Sequence, residues 1–217
     1  MQLVQVLRES TKKYPNKTAY IWRDVPLTYA EMEARTSQMA NRLAELGVQK
    51  GDRVGLLMPN IPDFSVVYYS TLSLGASIVP LNVMYRAREI AYILNDSGAK
   101  VLVTVQPFLP QVLEARPSLT SVKHIVNKGL EPAPDVLNLD LLLNGASDAP
   151  AEVEVNEEDI AVICYTSGTT GNPKGAMLSH GNLLANLDQM LKLPRFDSTP
   201  DDIGVQVLPL FHIFGMN

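Results

Sequence analysis

The stretch from Phe64 to Tyr85 contains no charged residue, and it restricts the folds open to this chain more than any other feature. Such a run is either a membrane span or a pair of elements buried on every side. Ser70, Thr71, Ser73, Gly75, Ser77, Pro80 and Asn82 interrupt it. That density of hydroxyls and chain breakers argues against a bilayer helix. It predicts a buried helix opening at Pro62-Asp63, a stop near Gly75 and a strand from Ala76 to Val79.

The neighbouring segments extend the same alternation. Thr18–Trp22 and Leu27-Thr28 flank Arg23-Asp24-Val25-Pro26, a hairpin signal. Thr28-Tyr29-Ala30-Glu31 is a capping box. Tyr29, Met32, Thr36, Met39, Leu43 and Leu46 follow at helical spacing until Gly47. Arg53–Met58 reads as a buried strand, Arg86–Asn95 as a helix and Lys100–Val105 as a strand. Pro107–Ala115 reads as a helix and Val122–Val126 as a strand. Strands alternating with helices predict α/β architecture built from βαβ units on mainly parallel sheets. From Asn127 to Glu158 the chain turns acidic and rich in Gly and Pro, with one apolar island at Val136–Leu143. The expected organisation is a first α/β subdomain over 1–128, a connection over 129–158, and a second subdomain over 159–217. A further strand is expected over Ile203–Leu208. The second unit reads as truncated, with an exposed edge that would invite a second copy to pair.

Composition narrows the function. Eighteen Lys and Arg against 23 Asp and Glu give a net charge of −5 with no basic run, which speaks against nucleic-acid binding. The lone cysteine, Cys164, rules out an intrachain disulfide and fits a reducing, cytoplasmic setting. Within its apolar run it reads as a small buried hydrophobe. The first residues lack a signal-peptide pattern. No transmembrane segment is expected, which leaves peripheral membrane contact open.

The chemistry is concentrated in Tyr165-Thr166-Ser167-Gly168-Thr169-Thr170-Gly171-Asn172-Pro173-Lys174-Gly175. Four hydroxyls beside the tyrosine, three glycines and a lysine follow the apolar run Ile160–Cys164. Glycine lets backbone approach a ligand closely, successive amides can form an anion nest, and Lys174 supplies a point charge. This is the composition of a polyphosphate loop. It is not a Walker A loop, because Pro173 stands where the second glycine belongs and Gly175 follows the lysine. The spacing predicts strand, loop, strand, and then a helix capped by Ser179.

Tyr165–Gly175 with Ser179-His180-Gly181-Asn182 resembles the phosphate loop of the AMP-forming adenylate superfamily, which includes acyl-CoA synthetases, adenylation domains and firefly luciferase. Pro209-Leu210-Phe211-His212 resembles that family's next motif. Asp63–Thr104, with Gly75-Ala76, Val79-Pro80-Leu81-Asn82 and Leu94–Lys100, is most similar to fatty-acid–CoA ligases. The resemblance implies a two-step reaction. A carboxylate attacks the α-phosphorus of MgATP to give an acyl-adenylate and pyrophosphate, and a thiol, coenzyme A, takes the acyl group. It implies that Thr166, Ser167, Gly168, Thr169, Thr170, Gly171 and Lys174 form the nucleotide-binding set, with Ser167, Thr169, Thr170, Lys174 and the amides of Gly168 and Gly171 on the β- and γ-phosphates, that Thr166 ligates Mg²⁺, and that His212 is a catalytic residue at the acyl or thiol site. His180 is expected to serve the helix start behind the loop, and His124 has no assigned role. The family's adenine-contacting, ribose-binding and lysine-bearing segments have no counterpart in 1–217, so the chain alone is expected to adenylate weakly or not at all. The resemblance leaves open an aryl-CoA ligase, an amino-acid-adenylating domain, or a non-catalytic nucleotide-binding scaffold.

Overall fold

The computed structural model describes residues 2–151, 153–166, 172–193 and 199–216. Those residues form nine strands and eight α-helices. A helix α1 (Val4–Lys13) leads into the hairpin β1 (Thr18–Trp22) and β2 (Val25–Thr28). Arg23 and Asp24 turn it with positive φ angles of 50° and 63°, the twist that a tight hairpin requires. After α2 (Tyr29–Glu45) come β3 (Arg53–Leu57), α3 (Pro62–Ser73), β4 (Ser77–Pro80), α4 (Ala87–Ser97), β5 (Val101–Val105) and α5 (Leu109–Ala115). Strands β6 (His124–Lys128) and β7 (Val136–Asn138), then α6 (Leu139–Leu143), complete the first part. The chain ends with β8 (Ile160–Thr166), β9 (Lys174–Ser179), α7 (His180–Leu191) and a single turn α8 (Ile213–Met216).

Strands β3 to β9 form one seven-stranded sheet in the order β7-β6-β5-β3-β4-β8-β9. Every pairing in it is parallel except β8–β9. The expected parallel α/β architecture is therefore present. The second unit does not build a sheet of its own. Its first strand, β8, lies parallel beside β4, with Val162 opposite Ile78. The physical reason is that β4 is buried throughout, and without β8 its outer row of N–H and C=O groups would have no partner.

The helices cover the sheet on two sides. On one side Leu7, Met32, Met39, Leu43, Phe64, Leu72 and Leu183 share a core with Val54, Ile78 and Val103. On the other, Ile90, Ile93 and Leu94 of α4 and Leu109 and Val112 of α5 pack with Val79 and Leu102. The chargeless stretch becomes α3 and β4, and α3 is buried nearly all round. Its hydroxyls do not go unpaired. Ser70 and Thr71 donate back to the Val67 carbonyl at 2.9 and 2.8 Å, and Ser73 donates to that of Ser70 at 2.8 Å. Such back-bonding lets a polar-dotted helix sit in a core. No helix among the described residues is long and apolar enough to cross a membrane.

Ile203–Leu208 is not a strand. It has no strand pairing, and Ile203, Val205 and Val207 are 81%, 84% and 77% exposed. Its alternation is strand-like, but none of the described strands lies alongside it to supply a ladder, and backbone pairing rather than pattern defines a strand.

Candidate functional site

The strand β8 runs parallel to β4, so its last residue, Thr166, lies at the carboxyl-end edge of the sheet. Ligands of open α/β sheets bind outside that edge. The chain reverses there and returns as β9, with Thr166 and Lys174 as register partners and Tyr165 opposite Gly175. The predicted strand, loop and strand are thus a β-hairpin, and it brings together the first and last members of the predicted phosphate set. Ser167, Gly168, Thr169, Thr170 and Gly171 lie outside the described residues. Thr166 and Lys174 are both exposed, and Lys174 takes part in no ion pair among the described residues. A cation without a counter-ion, facing a hydroxyl across the open end of a hairpin, is suited to a polyphosphate. No group of three or more His, Cys, Asp or Glu that could hold a metal lies among the described residues. A magnesium ion here would rely on phosphate oxygens and waters with Thr166 as protein ligand. That suits an ion that keeps most of its water.

The base of the hairpin is built closely. A Cβ on Gly175 would lie 2.8 Å from Ile163 Cγ2 and 3.1 Å from Tyr165 Cζ. Only glycine lets the tyrosine ring lie across β9 there. The Tyr165 hydroxyl donates to Asp96 Oδ2 at 2.5 Å, and the Tyr92 hydroxyl donates to the Pro173 carbonyl at 3.0 Å. Burial, and acceptance of its proton by Asp96, push the Tyr165 phenol well above its ordinary pKa. It is therefore a permanent donor at neutral pH. The Cys164 thiol, pushed up to about 11 by burial, is not a thiolate nucleophile at neutral pH, in line with its packing role.

His180 opens α7 directly behind β9 and is fully buried. Ser179 caps this helix: its hydroxyl accepts from Asn182 N–H at 3.2 Å, and Asn182 Oδ1 accepts from Ser179 N–H at 3.0 Å. His180 Nδ1 accepts the Leu3 N–H at 3.1 Å, so the imidazole ties the start of α1 to α7. Its role is structural, as expected. Sequence reasoning did not find α1 itself.

His212 sits elsewhere on the same sheet edge. The loop after β3 carries Asn60, whose Nδ2 donates to the Leu208 carbonyl at 2.8 Å and whose Oδ1 accepts Leu210 N–H at 2.8 Å. This clamp fixes Pro209–Phe211 and buries Leu210. His212 itself is exposed, and its Nδ1 accepts the Phe214 N–H at 3.3 Å. No hydrogen bond or ion pair joins His212 to Thr166 or Lys174 among the described residues. Asn60, Tyr92, Asp96 and Gly175 were not singled out from sequence as site residues. Tyr92 and Asp96 stand four apart on one helix face, and that spacing was the available signal.

A mainly parallel α/β sheet that presents a glycine- and threonine-rich hairpin from its carboxyl edge, without a Walker loop, defines a nucleotide-loop protein of the adenylate-forming class. The sequence matches the AMP-binding enzyme family over residues 7–217, and the chain belongs to that family. It is 34% identical to a long-chain-fatty-acid–CoA ligase of Escherichia coli O6:H1 over 99% of this chain and 43% of that protein. Among solved structures it is similar to a long-chain-fatty-acid–CoA ligase of Archaeoglobus fulgidus, with a TM-score of 0.84, 31% identity, and coverage of 100% of this chain and 44% of the other. It is also similar to the anthranilate–CoA ligase AuaEII in complex with anthranoyl-AMP, with a TM-score of 0.85, 30% identity, and coverage of 89% and 38%. The chain therefore spans less than half the length of these relatives.

Proposed function

We propose that this chain supplies the polyphosphate grip of an AMP-forming acid–thiol ligase. In that reaction a carboxylate attacks the α-phosphorus of ATP and pyrophosphate leaves. The acyl-adenylate then passes its acyl group to coenzyme A. The observation that carries the reading is the hairpin that sets Thr166 opposite Lys174, a cation with no ion pair among the described residues, across the predicted loop. Charge builds on the departing pyrophosphate, and donors fixed around it lower the barrier. Lys174 would meet that charge directly, while Ser167, Thr169, Thr170 and the amides of Gly168 and Gly171 would surround the β- and γ-phosphates. Thr166 would hold Mg²⁺, which when bound neutralises part of the phosphate charge. His212 would position the carboxylate from the clamped segment after Leu208.

The acid we assign is a long-chain fatty acid, on the strength of the relatives from Escherichia coli and Archaeoglobus fulgidus. Similarity to an anthranilate ligase supports an aryl acid as the second reading. Titrating MgATP into the chain by calorimetry tests the grip. Lys174→Ala is expected to weaken binding by about tenfold or more, because a bond to a charged group contributes roughly 1.5–3 kcal/mol. Equal affinity of parent and variant would overturn the assignment.

A further inference from the structure

The sheet alone does not secure the open end of the hairpin. The register of β8 on β4 includes only Ile78 and Val162. From Ile163 to Thr166 the strand pairs with β9 alone. Its carriage beyond the sheet falls to α4. That helix is itself fixed. Ile90, Ala91, Ile93 and Leu94 are buried beneath it, and Arg53 at the start of β3 donates to the carbonyls of Ser97 and Gly98 at 2.6 and 3.0 Å. From this platform both arms of the hairpin are bonded. Tyr92 holds Pro173, one residue before Lys174, and Asp96 holds Tyr165, one residue before Thr166. The Asp96 bond has a carboxylate acceptor, the stronger kind of side-chain hydrogen bond. The Tyr165 ring also lies across Gly175, so the two strands are locked to each other as well as to the helix.

We propose that Tyr92, Asp96 and Tyr165 are positioning residues for polyphosphate binding, fixing both strands at the mouth of the hairpin so that Thr166 and Lys174 stand ready before the nucleotide arrives. The inference rests on the phosphate-grip reading above and adds that helix α4 sets the geometry of the grip. A base fixed in advance spares the ligand the cost of ordering it.

The test measures dissociation constants of magnesium tripolyphosphate and MgATP by calorimetry on the whole chain and on Tyr92→Phe, Asp96→Ala, Asp96→Asn and Lys174→Ala. Loss of one bond at the base is expected to raise both constants by about fivefold to tenfold. Asp96→Asn, which keeps an oxygen acceptor for Tyr165, restores most of the loss seen with Asp96→Ala. Hydrogen exchange in Tyr92→Phe quickens at the amides of Thr166, Lys174 and Gly175 and stays unchanged in β3 and β5. Affinities of Tyr92→Phe and Asp96→Ala within twofold of the parent, with Lys174→Ala still impaired, would overturn the positioning role and leave the grip intact. An unimpaired Lys174→Ala, or a parent that binds neither probe, would overturn the grip and this inference with it.

Discussion

His180 ties distant parts of the chain together through one neutral nitrogen, which makes its protonation state a stability matter. Nδ1 accepts the Leu3 N–H, 177 residues away in sequence, and it can accept only while unprotonated. Burial holds the ring below the ordinary imidazole pKa; Asp159 opposes that shift and Lys50 adds to it. The unfolded chain takes up the proton near the ordinary value of about 6.5, before the folded chain does. Between that value and the lower folded one the unfolded state binds more protons, so stability falls as pH falls. The contribution is whole above the unfolded pKa and lost progressively below it. Urea midpoints of the parent should drop between pH 7.5 and pH 5.5. In His180→Gln, which keeps an acceptor for Leu3 but cannot titrate, the drop should shrink. An equal drop in both would place the effect elsewhere.

Caps decide where several elements begin, and they made those elements legible. Thr28 and Glu31 form the capping box read from sequence, with Thr28 Oγ1 accepting Glu31 N–H at 3.2 Å and Glu31 Oε2 accepting Thr28 N–H at 2.8 Å. Ser179 does the same for α7. Ser179→Ala should therefore cost about 1 kcal/mol in chemical denaturation, and a change below about 0.3 kcal/mol, well under the usual range for lost caps, would deny the cap its role. The strands β3, β4 and β5 were equally readable, because full burial writes a continuous apolar run. Three things were not. The helix α1 buries only Val4 and Leu7, too sparse a stripe among Ser, Thr and Lys to stand out. The place of β8 beside β4 depends on which edge is left open after β3 to β7 have paired, a global property that no local pattern carries. The bonds from Tyr92 and Asp96 to the hairpin join residues 81 and 69 apart in sequence, and only the packing of α4 and the hairpin base on one side of the sheet brings them within reach.

In the molecule as a whole, an apolar ribbon among the described residues lies uncovered. Ile203, Val205 and Val207 alternate along an exposed segment, with Phe214 and Met177 also exposed. Asn60 clamps the C-terminal end of the segment through the Gln206 and Leu208 carbonyls and the Leu210 N–H. An apolar segment that lies outside any sheet is a template for strand addition by another chain, and contiguous apolar exposure marks association surfaces. The net charge of −5 opposes self-association, but screening beyond about 8 Å at physiological salt leaves close apolar contact to dominate. The chain should therefore associate as its concentration rises, and more strongly as salt is added. Replacing Val205 and Val207 together with Lys puts two positive charges on the ribbon while leaving the Asn60 clamp in place. That variant should stay monomeric in light scattering at concentrations where the parent does not, with an unchanged melting temperature because neither side chain is packed. A parent that remains monomeric at high salt and high concentration would mean that the ribbon does not drive association.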